Sequence, residues 1–453
     1  RAVARKMTAP SDYTKHADVL RTAVVHSVIN TAGMVTALKF FHAELSGDVL
    51  PLHFELNMID VFVALAQDDE NTGDIRAASI QAIVNLLDMK MEPADGCSAL
   101  KHSIIAMGVI EMATASVDAC VSSKLSDSCV DAIRSVAEGC EAICRRAVVE
   151  SGALGTMVAR MVSIEPRLSR GAKKTALGVC VTIVKSAMHG EEVAAIIMGT
   201  FASALRTGDQ AIARNTFEML IKFGLRACES IECFNQELIR LSLEYIANCD
   251  DEAVRRSALE FIRFVTFFGL ERGDRELVET RISREPALLR AIDSALNSNS
   301  NEMKWAAANL LCFIVTKFPD HVDRLIQSTY IIGRLLHLLR FDNGRELSQE
   351  ACWVLLGCLA CTLGLRGAAR PHLQHVLLGT GVLSPLLEAI NAAHCDDLDA
   401  SVATILPRLL AARPEFGRVV FAAGYGQYVP SRGYARTAGP CDYIFEDNNE
   451  DEE

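Results

Sequence analysis

The feature that most constrains this chain is an internal repeat. A polar or charged pair, then a small residue, then an apolar run recurs as Asp74-Ile75-Arg76-Ala77-Ala78-Ser79-Ile80, Gly171-Ala172-Lys173-Lys174-Thr175-Ala176-Leu177 and Ala213-Arg214-Asn215-Thr216-Phe217. It returns as Val254-Arg255-Arg256-Ser257-Ala258-Leu259, Glu302-Met303-Lys304-Trp305 and Ser348-Gln349-Glu350-Ala351-Cys352-Trp353, with weaker copies at Val130-Asp131-Ala132 and Asp399-Ala400-Ser401. Register marks at 79, 132, 175, 215, 257, 303, 351 and 400 stand 40 to 53 residues apart. A unit of that size cannot bury its own apolar face, so neighbouring units must stack on a shared core.

The runs have helical spacing: Leu238, Leu241 and Tyr245 share one face, and Leu259, Ile262 and Val265 share another. No sustained period-2 alternation calls for a sheet, so the predicted class is all-α. Glycine precedes several runs, at Met107-Gly108-Val109-Ile110, Ser151-Gly152-Ala153-Leu154 and Gly379-Thr380-Gly381-Val382-Leu383. There it predicts a corner between a short helix and the next, where a positive φ asks for glycine. Composition agrees: 50% of residues are hydrophobic but only 6% aromatic, so aliphatic side chains must fill the core. With 12 Pro and 28 Gly, collagen-like and mostly disordered readings are excluded. A formal net charge of −12 argues against wholesale binding to a phosphate backbone.

The stretch Cys144-Arg145-Arg146-Ala147-Val148-Val149-Glu150-Ser151-Gly152-Ala153-Leu154, and after it Ser348 to Gly357, resembles the armadillo family. The resemblance covers most of residues 20–415 and admits HEAT-like geometry in some repeats. It implies a right-handed superhelical α-solenoid of three-helix repeats, about eight of them, with a partial cap around Val19 to His42. The expected organisation is an extension at 1–18, a solenoid at 19–415 and an arm at 416–453. The resemblance also implies that third helices line a concave groove. In the family's importin-α members those helices carry Trp and, four residues on, Asn, the ring stacking on a peptide stem and the amide holding its backbone. Trp305 with Asn309 matches that pair; Trp353 is followed by Gly357, and Asn85 follows Gln81. The other equivalents are Arg134/Glu138, Leu177/Val181, Phe217/Ile221 and Leu259/Arg263, so the array departs from an importin-α groove. The candidate groove contacts are Trp305, Asn309, Trp353, Arg263, Asn85 and Phe217. The plainer alternative is that the rings are core and the polar groups a solvated face.

Beyond Phe416 the pattern changes. Tyr425, Tyr428, Tyr434 and Tyr443 lie in a stretch punctuated by Gly and Pro, and Glu446 to Glu453 holds six acidic residues in eight. Those four tyrosines are the expected contacts of an arm lying on a partner or folded back on its own solenoid. Arg1 to Lys6, with no acid before Asp12, reads first as a solvated terminus and second as the remnant of an Arg-rich targeting segment.

Chemistry finds little support. Cys358-Leu359-Ala360-Cys361 is a lone CxxC inside an apolar helix, Cys140 and Cys144 lack a second pair, and His372 with His375 lacks a nearby third ligand. No phosphate loop, nucleophile elbow or HExxH helix is present. The expectation is therefore no catalytic residue, no metal and no cofactor. Fifteen scattered cysteines read as reduced, half-buried small hydrophobes in a reducing compartment, cytoplasmic first and mitochondrial or another organelle interior second. The expected function is a non-catalytic scaffold binding other proteins inside a larger assembly. The alternatives are an importin-α-like adaptor for basic peptides and a chaperone-like armadillo protein holding a client. No nucleic acid, transmembrane segment or small-molecule substrate is expected.

Overall fold

The computed structural model describes residues 58–429, apart from 69–70, 89–103, 120–121, 139–141, 165–167, 187–189, 229–230, 340–343 and 366–367. The extension and cap expected before residue 58, and Tyr434, Tyr443 and the acidic run, lie outside the described residues. Among the described residues every regular element is helical. The chain divides into two compact units, parted between Glu229 and Ser230.

The first unit contains α1 (Met58–Gln67), α2 (Gly73–Asp88), α3 (Val109–Ala119), α4 (Ser123–Ala137), α5 (Ala142–Glu150), α6 (Ala153–Val162), α7 (Arg170–Val184), α8 (Gly190–Arg206) and α9 (Gln210–Ala227). The long helices α2, α4, α7 and α9 pack one against the next, and α3, α6 and α8 form a second row behind them. Phe201, Phe217 and Phe223 are fully buried in this unit. Each contributes about 2–3 kcal/mol of apolar burial.

The second unit contains α10 (Gln236–Asn248), α11 (Glu252–Glu271), α12 (Arg275–Val278), α13 (Ala287–Leu296), α14 (Asn301–Lys317), α15 (Val322–Gln327), α16 (Thr329–Leu338), α17 (Arg345–Thr362), α18 (Pro371–Gly379), α19 (Leu383–Ala393), α20 (Asp396–Ala412) and α21 (Gly417–Ala422). It repeats the arrangement: α11, α14, α17 and α20 stack in order, as do α10, α13 and α16. A short first helix opens each later repeat, with α15 against α18. Among the described residues no single helix is long and apolar enough to cross a membrane.

The eight register marks fall in eight separate helices, α2, α4, α7, α9, α11, α14, α17 and α20, the third helix of each repeat. Their starts explain the motif. Ser122, Ser169, Asp209, Asp251 and Ser300 cap five of them, each side chain accepting from a backbone N–H in the first turn. Such a cap stabilises a helix by about 1 kcal/mol. The recurring polar pair follows the cap because first-turn side chains stay near solvent while the apolar stripe begins. Gly108, Gly152 and Gly381 adopt φ of 73°, 74° and 75°, so three first-to-second-helix corners share one left-handed conformation.

Arginines brace the stack. On α11, Arg255 Nε donates to the Ile246 carbonyl at 3.0 Å, and Nη2 donates to the carbonyl and hydroxyl oxygens of Ser294 at 2.8 and 2.9 Å. One side chain thereby joins the end of α10 to the end of α13 in the next repeat. Arg76 repeats this in the first unit, from the Ala66 carbonyl to Ser116 on the next second helix. Arg345 donates to the Ala393 carbonyl at the end of α19, at 2.7 Å. These guanidinium groups satisfy carbonyls that helix ends leave without partners.

Candidate functional site

Sequence reasoning places the site on the third helices, and those of the second unit carry the most developed surface. On α14, Trp305, Asn309 and Phe313 recur every fourth residue and are half-buried. On α11 the same face carries Arg263 and Phe267, and on α17 Glu350 and Trp353, all half-buried. Packing of α14 between α11 and α17 makes one strip of these side chains.

A polar ladder crosses the strip. Arg263 Nη2 donates to Asn309 Oδ1 at 2.9 Å, and Asn309 Nδ2 donates to Glu350 Oε1 at 3.2 Å. The Arg263 guanidinium also lies over the Trp305 ring, 4.7 Å from its centroid, and 5.9 Å from that of Phe267. Phe267 and Phe313 meet edge to face with centroids 3.9 Å apart. Burial lowers the pKa of Arg263, against the opposing pull of Glu260 and Glu350. Burial likewise raises the Glu350 carboxyl, with Asn309 and Arg263 holding it partly down. Above this ladder Arg256 on α11 pairs with Glu302 on α14.

The structure thus joins Arg263, Trp305 and Asn309 and adds Glu350, with Trp353 one turn beyond it. It corrects the expectation that the Asn309 amide stands free: each end is engaged once by the protein's own side chains, leaving one N–H and one lone pair. Arg263 is correspondingly a strut between third helices. Gly357, where an importin-type array would place a second Asn, is explained by packing: an added Cβ would stand 2.6 Å from Val315 Cγ1. α17 lies there directly on the Val315 side chain, which would have to shift to admit a methyl group.

Phe217 is a second correction. Its register equivalents Leu177 and Leu259 are 4% and 1% exposed, and Phe217 itself is 0% exposed. It is a core residue, unable to touch a partner. Trp305 and Trp353, at the same register, remain half out of the core, because the indoles exceed the space that Leu or Phe fills. Asn85, on α2, accepts from the Gln81 amide at 3.4 Å and is half-buried. Sequence reasoning missed Phe267, Phe313 and Glu350. The run Phe261-Ile262-Arg263-Phe264-Val265-Thr266-Phe267-Phe268 was the available signal, since it has more rings than one buried stripe can hold.

The arm also differs from expectation. The expected arm begins with a helix, α21, immediately after Phe416, and it packs on α19. Tyr425 is only 5% exposed, its hydroxyl donating to Asp399 Oδ1 on α20 at 3.4 Å, and its ring stacks with half-buried Tyr428. Burial first and Asp399 second push its phenol pKa upward. Tyr425 therefore closes the last repeat of its own chain and is not available to another.

The thiols of Cys358 and Cys361 are fully buried, and burial pushes Cys358 well above the ordinary thiol range. His372 and His375 are exposed on α18. Among the described residues no group of three or more His, Cys, Asp or Glu is placed to hold a metal.

No family model matches the sequence, and no curated protein sequence matches it. Solved structures do. The structure of Kap121p bound to Ste12p aligns with 93% of this chain at 10% identity and a TM-score of 0.50, and this chain spans 40% of that protein's length. The fold is that of an armadillo/HEAT α-solenoid. A designed armadillo repeat protein in complex with the peptide (KR)4 aligns with 56% of the solenoid chain and 99% of its own, at 15% identity and a TM-score of 0.37. Another designed armadillo repeat protein aligns with 55% of the chain and 98% of its own, at 16% identity and a TM-score of 0.35.

Proposed function

We propose that this solenoid is a non-catalytic scaffold, a subunit of a larger assembly, whose α11–α14–α17 strip docks a segment of another protein. The observation that supports it is the placement of the chain's two tryptophans. They stand at one register on adjacent third helices and are half-exposed, where other repeats bury Leu177, Phe217 and Leu259. Large rings left partly in water suit interface hot spots, because they bury much area at little entropic cost. The buried, protonated thiols support a reducing setting for this scaffold.

The engagement of Asn309 supports this reading over an adaptor for basic peptides, because it ties up one donor and one acceptor of the group that would hold a peptide backbone and sets a cation, Arg263, beside it. The test is affinity capture from the source cell, comparing the wild-type chain with Trp305→Ala/Trp353→Ala. A defined partner that is lost with the variant, while its circular dichroism is unchanged, supports the scaffold. Equal capture by both forms defeats the strip as the docking face. Saturable quenching of tryptophan fluorescence by a Lys/Arg-rich peptide at micromolar concentration would replace the scaffold with the adaptor.

A further inference from the structure

The first unit carries a surface of different chemistry. α7 holds Arg170, Lys173 and Lys174 and has no carboxylate, and Lys185 follows as its C-cap. On the adjoining third helix, α9, stand Arg214, Lys222 and Arg226 against a single carboxylate, Glu218, which pairs with Lys222. Arg170, Lys174, Lys185, Arg214 and Arg226 are all exposed. At about 100° per residue, Arg170, Lys174 and Lys185 fall within about 60° of arc, opposite the buried Ala172, Ala176 and Val179. Arg214, Glu218, Lys222 and Leu225 span about 80° on α9, with Arg226 about 40° beyond. The two helices pack together, so the cations form one face on a chain whose net charge is −12.

At the start of α7 that face runs against the helix dipole, whereas Lys185 and Arg226 stand at the ends of α7 and α9, where cations are favoured. The third helices α2, α11, α14, α17 and α20 each carry an acid in the first turn. α4, α7 and α9 carry none; Asp209 caps α9, but α7 places three cations there instead. A cation at a helix N-terminus is unfavourable by a few tenths to about 1 kcal/mol, and an anion brought alongside reverses the sign.

We propose that the α7–α9 face docks an acidic, extended segment of a partner protein with an apolar residue beside its carboxylates. In a polyproline-II segment, with three residues per turn and about 3.1 Å rise, carboxylates three positions apart share a face and match the 8–10 Å or so between packed helices. Leu225, 64% exposed within the same arc, gives the apolar residue its foothold. Glu218 inside the face disfavours a continuous phosphate backbone. As a probe of that chemistry, a peptide with the sequence of residues 442–453 offers seven carboxylates and no cation, with Tyr443, Ile444 and Phe445 adjoining and Asp447 and Glu450 three apart. This rests on the reading of the chain as an interaction scaffold but uses another face.

The probe is a fluorescein-labelled peptide of residues 442–453, read by anisotropy against the full chain with Glu446, Asp447, Glu450, Asp451, Glu452 and Glu453 changed to their amides to remove competition. Saturable binding is expected, weakened about tenfold or more by Lys174→Glu/Arg214→Glu and unchanged by Trp305→Ala/Trp353→Ala. Lys174→Gln/Arg214→Gln, milder for folding, should weaken it in the same direction. Absence of saturable binding, or equal binding by the α7–α9 variants, overturns the proposal. So does tighter binding of a single-stranded oligonucleotide of matched charge. Loss only with the tryptophan variant moves the acidic segment to the second unit, overturning this face while leaving the scaffold standing.

Discussion

At the scale of single residues, Gly357 shows how packing overrides helix propensity. Alanine favours a helix interior over glycine by about 1 kcal/mol. At 357, however, the added methyl would meet Val315, itself fully buried against α17. Overpacking costs about 1–3 kcal/mol, so Gly357→Ala is expected to lower the melting temperature, and Gly357→Ala/Val315→Ala to recover part of the loss. An alanine variant melting above wild type would mean that the close approach of α14 and α17 is not a constraint. Glu350 gives a second case. Burial raises its folded pKa above the ordinary 4.5, so the linked stability is present below that value and is lost as pH rises through the raised one. Near neutral pH the ionised carboxylate is a cost. Glu350→Gln keeps an acceptor for Asn309 and should melt at the same or a slightly higher temperature there, the difference closing toward about pH 4. A neutral-pH melt well below wild type would show that attraction to Arg263 outweighs desolvation.

At the scale of elements, helix type and order are legible because each repeat states them twice, in a cap followed by an apolar stripe and in a corner glycine. The eight register marks locate eight third helices, and Gly108, Gly152 and Gly381 take the predicted conformation. What the stripe does not convey is rotation. Phe217 and Trp305 hold the same register, yet one is core and the other half-exposed, because side-chain volume decides how far a ring projects past its neighbours. Nor does spacing reveal bonds between repeats: Asn309 reads as a free clamp until Arg263 and Glu350 are seen to arrive from either side. The Arg255 brace is equally silent in sequence, since its acceptors lie on two other helices. Arg255→Met keeps the length of the side chain but orphans the carbonyls of Ile246 and Ser294. It is expected to cost about 1–3 kcal/mol in chemical denaturation followed by tryptophan fluorescence. Arg255→Lys should rescue little, because one ammonium cannot reproduce the forked geometry. Full rescue by lysine would reduce the brace to simple charge.

At the scale of the whole molecule, stacking of like units makes stability a sum of terms between neighbours. A change should then be felt in its own repeat and the next, and fade beyond. The last described repeat of the second unit allows a direct test, because among the described residues no third helix follows it and Tyr425 covers it, tucked beside Asp399. The sequence placed this tyrosine in an arm; its burial follows from α21 turning back onto α19, a path that apolar periodicity does not encode. Removing the ring with Tyr425→Ala strips apolar cover from α20 and leaves Asp399 without that donor. A large-to-small change at a buried ring costs about 3–5 kcal/mol. In native-state hydrogen exchange, protection should fall across α19, α20 and α21 and stay near wild type in α11, three repeats away. Equal loss of protection from α11 to α21 would mean that the second unit unfolds as one cooperative block, and nearest-neighbour stacking would then no longer describe it.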